Sequence, residues 1–224
     1  MPKTDVITID GPAGSGKSTV SRLLAKKIRR IYLDTGAMYR AVALAASRRG
    51  IPFSDGKKLG RLCRSLELTF RTNEDRPRIF LGREDISTRI RTPDMDRLSS
   101  EVSAVGEVRK AMTELQRKMA QGTPLVAEGR DMGTVVFPEA RHKFFLTASP
   151  DVRAERRYKE LMGRKEFVSR KFVREELDKR DQQDQKRSLA PLKPAPDATL
   201  IDSTHLTPDQ AVHAILEEIQ NEIE

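Results

Sequence analysis

At 224 residues the chain is long enough to bury one sizeable core and too short for two full domains. With 33% charged residues, no Trp, and no apolar run near the roughly 20 residues of a spanning helix, it reads as a soluble protein with no membrane partner. Forty-two Lys and Arg against 33 Asp and Glu give a formal charge of +9, which suits an anionic partner or merely a solvated basic surface.

The opening MPKTDVITID lacks the apolar region of a secretory signal, and Val6 to Ile9 reads as a first strand. DGPAGSGKST follows at 10–19 and contains G-x-x-x-x-G-K-S from Gly11 to Ser18. A helix carrying Val20, Leu23, Leu24 and Ile28 comes next, which is the context of a P-loop. Glycines let backbone N–H groups turn towards phosphate oxygens, Lys17 meets the β- and γ-phosphates, and the Ser18 hydroxyl suits Mg²⁺. The motif implies ATP or GTP with Mg²⁺ and leaves the phosphate acceptor open.

Ile31 to Leu33 is a second strand, running into LDTGAMYR and a helix from Ala37 towards Arg49, with Gly50 as the stop and Arg40 just inside the start. The lone Cys63 excludes an intramolecular disulfide and fits a reducing compartment, so the cytoplasm is expected. From 66 to 90, LELTF, the turn TNEDRP, RIFL and EDIS predict a small antiparallel sheet inserted between core elements, because Leu66, Leu68 and Phe70 alternate with polar residues.

Leu125 to Ala127 is a third strand that ends in Glu128-Gly129-Arg130-Asp131, with Gly129 and Gly133 allowing close backbone approach. Lys143 to Leu146 is a fourth, and Ser149-Pro150 opens a helix that puts Arg153, Arg156 and Arg157 within one turn. Arg153 to Arg170 is dense in charge, contains Gly163, and predicts a helix, turn and helix able to move as a flap. In RDQQDQKRSLAPL, Arg180, Asp184 and Arg187 share a face if helical; two readings stay open, a solvated helix laced with ion pairs or a polar helix facing a phosphate site. APLKPAP at 190–196 reads as a loop, Thr199 to Ile201 as a fifth strand, and Thr207-Pro208 with Gln210 as the capping box of a last helix.

Strands alternating with helices predict a three-layer α/β domain whose ligands sit at the C-terminal ends of the strands. Three arginine-bearing clusters fall there, which suits transfer between two phosphate-bearing nucleotides, since guanidinium grips phosphate bidentately. For any single arginine a surface role is an equal alternative.

DGPAGSGKST, LDTGAMYR, EGRDMGTVVFPEA and RDQQDQKRSLAPL, in this order over residues 6 to about 202, resemble the bacterial cytidylate kinases, members of the P-loop nucleoside monophosphate kinases. The resemblance implies a single domain over 1–224 with a P-loop NTPase core on a five-stranded parallel sheet, a monophosphate-binding insert at about 37–110 with the small antiparallel sheet, and a helical lid at about 153–170. It implies transfer of the γ-phosphate of ATP to CMP and dCMP with Mg²⁺, by a cytoplasmic monomer with no nucleic-acid partner. Gly11, Pro12, Ala13, Gly14, Ser15, Gly16, Lys17, Ser18 and Thr19 would hold the ATP phosphates, and Ser18 the metal. Arg40, Arg130 and Arg187 would hold the CMP phosphate and Asp184 and Arg180 its ribose side, with Thr35 also among the CMP-binding residues. Ser100, Arg109 and Asp131 would read cytosine, while Lys17, Arg130 and the lid residues Arg153 and Arg157 would serve catalysis. Thr35 stands where the family pattern has serine, and Glu128 where it has aspartate.

Two other readings are compatible with the P-loop alone. One is a kinase acting on AMP or a non-nucleotide acid. The other is an ATPase binding RNA through its basic surface, although no aromatic-rich basic ribbon is visible.

Overall fold

Apolar runs flanked by polar turns give five short strands that pair in parallel: β1 (Val6–Asp10), β2 (Ile31–Asp34), β6 (Leu125–Gly129), β7 (His142–Thr147) and β8 (Thr199–Asp202), in the order β2-β6-β1-β7-β8. The computed structural model describes residues 5–71 and 77–221, so the turn expected at TNEDRP lies, but for Pro77, outside the described residues. All five strands extend beyond the apolar runs that predicted them, and β1, β2 and β8 each end on an aspartate. Ladder hydrogen bonds use backbone groups only, so a carboxylate can close a strand while its side chain points at whatever lies beyond the sheet.

The period-two alternation of the strands divides the core. Ile7, Ile9, Tyr32, Val126, Phe144 and Leu146 face α1 (Lys17–Lys27) and α8 (Pro208–Asn221), meeting Val20, Leu24, Val212 and Ile215. Val6, Leu33, Leu125 and Ala127 face the other way, towards α2 (Thr35–Arg48), α3 (Gly56–Ser65), α4 (Pro93–Ser103) and α5 (Gly106–Met119). The expected antiparallel sheet is present as β3 (Leu68–Arg71), β4 (Arg78–Leu81) and β5 (Glu84–Asp85), and buries Leu68 and Ile79 against this second cluster.

Helix starts follow the capping residues. Asp34 accepts the Ala37 N–H at 2.8 Å and so begins α2 at Thr35, two residues before the expected start. Thr207 and Gln210 satisfy each other's backbone N–H at 3.2 and 2.9 Å, the reciprocal capping box read in the sequence. The helix-turn-helix expected within 153–170 is displaced: α6 (Pro150–Gly163) holds the first part, and the second helix, α7 (Arg170–Lys186), begins where the segment was expected to end. Val173 and Leu177 are the buried apolar residues of α7, packed with Leu161 of α6 and Ala13 of the P-loop, so a mainly polar helix meets the loop through a small apolar patch.

Leu24, fully buried between α1, the sheet and α8, is expected to cost about 2–5 kcal/mol on truncation to alanine. The cap change Thr207→Ala should cost roughly 0.5–2 kcal/mol. Urea denaturation of the two variants should return that order, and a larger loss at the cap would contradict the assignment of the core.

Candidate active site

A cleft of about 480 Å³ opens at the C-terminal ends of β1, β2 and β6, beneath α6 and α7. The P-loop forms its floor. Gly11, at φ 154°, lies against the Leu146 carbonyl, where a Cβ would collide with backbone oxygen, so β7 pins the loop's first residue. Gly11 and Pro12 therefore sit behind the cleft lining, while residues 13–19 form part of it. Lys17 donates to the Pro12 carbonyl at 3.1 Å. Burial, with the nearby Arg130 charge, brings its ammonium down to about 7.

Ser18 donates to Glu128 Oε2 at 2.9 Å, and Tyr32 donates to Glu128 Oε1, so both oxygens of this buried carboxylate are aimed. Burial and the neighbouring Asp34 push the Glu128 carboxyl above its ordinary range. A hydroxyl paired with a buried strand-end carboxylate fits a divalent cation, and Mg²⁺ is commonly held by one or two protein oxygens plus nucleotide phosphates. Glu128 is the acidic residue after an apolar strand that the sequence reading left without a role.

On the far side, β6 runs into Arg130 and Asp131 and then a π-helical turn, Met132–Val136. Asp131 is buried and accepts from Arg109 of α5, whose guanidinium lies 5.8 Å over the Tyr39 ring. Arg130 donates to Asp184 at 2.9 Å, and Arg187 stands 3.8 Å from the same carboxylate. Thr35 donates to the Glu128 carbonyl at 2.6 Å. Five buried polar atoms of cleft-lining residues, Ser15 Oγ, Tyr39 OH, Ser100 Oγ, Arg180 Nε and Arg187 Nε, have no hydrogen-bond partner among the described residues, which is the signature of a surface built to pair with something else. Burial raises the Tyr39 phenol to about 12 and lowers the Arg180 guanidinium to about 10.

Asp96 of α4 gathers the remaining arginines. It accepts from Arg40 Nε at 2.8 Å and from Arg157, with Arg180 at 3.8 Å. Burial opposes its charge, but Arg40, Arg180 and Arg157 hold the carboxyl down at about 2.

Of the expected site residues, Thr35, Arg40, Ser100, Arg109, Arg130, Asp131, Arg157, Arg180, Asp184 and Arg187 all line one cleft with the P-loop. Arg153, expected on the lid with a catalytic role, does not line it. It is 7% exposed and donates to the Ala148 and Ala13 carbonyls, both at 3.1 Å, and to Asp181, so it staples α6 and α7 to the back of the P-loop. Arg156 and Arg164 line the cleft instead, Arg156 donating to the Ser203 carbonyl at 2.7 Å. Helical spacing put residues 153, 156 and 157 on one turn without saying which of them faces inward. Sequence reasoning also missed Tyr39 and Asp96. Tyr39 directly precedes Arg40, and Asp96 lies one turn after the Thr92-Pro93 start of α4, the one signal that marked that helix.

A sequence profile of the family described as Cytidylate kinase matches residues 7–221. A cytidylate kinase of Citrifermentans bemidjiense is 48% identical over 92% of this chain and 89% of its own. That of Carboxydothermus hydrogenoformans is 46% identical over 94% and 95%. A solved structure of an uncharacterized protein from Eubacterium ventriosum superposes with TM-score 0.54 at 14% identity, covering 98% of this chain and 99% of that one, which shows the fold alone. P-loop, strand-end arginines and polar α7 therefore sit in a chain matched over nearly its whole length, and the chain belongs to the cytidylate kinase family.

Proposed function

We propose that the chain transfers the γ-phosphate of ATP to CMP and dCMP, giving ADP and the nucleoside diphosphate. The observation that carries this reading is the buried Arg109–Asp131 pair in the same cleft as the P-loop. Cytosine offers an N4 amino donor to a carboxylate, whereas uracil presents a carbonyl there and leaves Asp131 with nothing to accept. Ser100 stands by with an unpartnered hydroxyl for the same base.

The CMP phosphate is itself the nucleophile, so the protein's task is positioning and charge stabilisation. Arg40, Arg130 and Arg187 hold the acceptor phosphate, with Thr35 beside it. Arg180 and Asp184 face the ribose. Residues 11–19 hold the ATP phosphates, and Lys17 and Arg157 offset the charge that spreads over the transferred group. Ser18, with Glu128 behind it, would hold Mg²⁺, which supplies charge neutralisation of the β- and γ-phosphates when bound. Residues 37–110 act as the acceptor-holding insert and α6, the turn at 164–169 and the start of α7 as the lid. No helix among the described residues is long and apolar enough to cross a membrane.

A coupled assay of ATP with CMP, dCMP, UMP and AMP tests the reading directly. CMP and dCMP should exceed UMP and AMP in kcat/KM by at least about 100-fold. Asp131→Ala should shrink the CMP to UMP ratio; an unchanged ratio would remove Asp131 as the reader. Lys17→Ala should lower turnover by on the order of 100-fold or more with a normal unfolding transition, and near-parent turnover would sink the P-loop role.

The Lys17 ammonium at about 7 gives a pH signature. Phosphate charge placed beside it restores the protonated form, so binding of metal-free ATP above pH 7 must take up a proton, and affinity should fall as pH rises from 7 towards 9. Calorimetry at pH 8 in two buffers of different ionisation enthalpy should show that uptake, and Lys17→Met should abolish it.

A further inference from the structure

Asp131 occupies the N-cap position of the π-helical turn, yet its side chain makes no cap hydrogen bond. An aspartate at an N-cap ordinarily turns back to accept the first exposed backbone N–H groups. Here those groups are taken by another strand. Asp10, the last residue of β1 and 5% exposed, accepts the Met132 N–H at 2.9 Å on one carboxylate oxygen and the Gly133 N–H at 2.8 Å on the other. The Asp131 carboxylate is thereby left for Arg109 and the cleft. In the sheet Asp10 pairs with Gly129, directly before Arg130, and it is followed by Gly11, so one residue joins the donor loop to the acceptor loop.

We propose that Asp10 is a positioning residue for acceptor specificity: by capping the turn in trans it prevents Asp131 from capping it, and so keeps the Asp131 carboxylate aimed at the acceptor base. This rests on the proposed CMP kinase reading. A π turn marks a helix register that neighbouring contacts must hold in place, and no side chain of its own N-cap does so. Without the Asp10 carboxylate, the N-cap side chain of Asp131 is the local group suited to accept the Gly133 N–H, and capping the turn and facing the cleft are exclusive tasks for one short side chain. Burial raises the Asp10 carboxyl to about 7 against the pull of these two N–H groups.

The test is Asp10→Asn, nearly the same in volume but able to accept only one of the two N–H groups while its amide faces the other. The expected result is a KM for CMP raised about tenfold and a CMP to UMP discrimination reduced at least tenfold, while the calorimetric Kd for ATP stays within about twofold. A merely structural role would weaken ATP and CMP alike or alter stability with discrimination intact, and either outcome overturns the proposal. Hydrogen exchange on the parent protein reads the cap without any substitution, so the idea stays testable if Asp10→Asn does not fold. Met132 and Gly133 amides should be strongly protected; exchange at the rate of an exposed loop overturns it. If the parent itself shows no preference for CMP, the functional reading fails, and protected amides would still establish the cap.

Discussion

Crowding arginines into one cleft is unfavourable unless each has a counter-charge, and this constraint shapes the molecule around the P-loop. Arg40, Arg157 and Arg180 share Asp96, Arg130 and Arg187 share Asp184, Arg109 has Asp131, and Arg153 has Asp181. A buried guanidinium deprived of its partner would be costly, often by several kcal/mol, so the carboxylates are as necessary to the site as the cations. The pairs also cross the fold: α4 is tied to α2, α6 and α7 through Asp96, and β6 to α7 through Asp184. Charge balance and assembly of the cleft are therefore the same set of contacts.

The sheet was legible in the sequence because a strand buried on both faces must be apolar almost throughout, and Val6 to Ile9 or Leu125 to Ala127 have no other reading beside a P-loop. The alternation of Leu66, Leu68 and Phe70 announced the small sheet for the opposite reason, one wet face. Less legible were α3 and α5, which begin at Gly56 and Gly106, residues that argue against helix when read alone; α3 is started by the Asp55 carboxylate on the Lys58 N–H. The π turn could not be read at all. Its first N–H group, that of Met132, is satisfied by Asp10, 122 residues away, and no local pattern encodes that contact.

Among the site residues, those that end strands could be placed from sequence because strand direction fixes where their side chains go. Those on helices could be placed only to within a turn. Arg153 and Arg157 are one turn apart, yet one binds the rear of the P-loop and the other meets Asp96 in the cleft. Rotation of α6 about its axis decides the difference, and that is set by the tie between Leu161 and the Val173–Leu177 patch of α7, packing that spacing does not reveal. Likewise Glu128 gained a role only when Tyr32 and Ser18 were found on its two oxygens.

The sharing of Asp96 has a wider consequence. An anion that approaches Arg40, Arg157 and Arg180 meets a carboxylate already paired with them, so under the proposed reading the cluster would act as an ion exchanger, with selectivity set by a contest between two anions. A monovalent carboxylate tethered in place is hard for chloride or a neutral nucleoside to dislodge. Nucleotide phosphate groups, with more charge and several oxygens in a fork-matching arrangement, have the advantage in that contest.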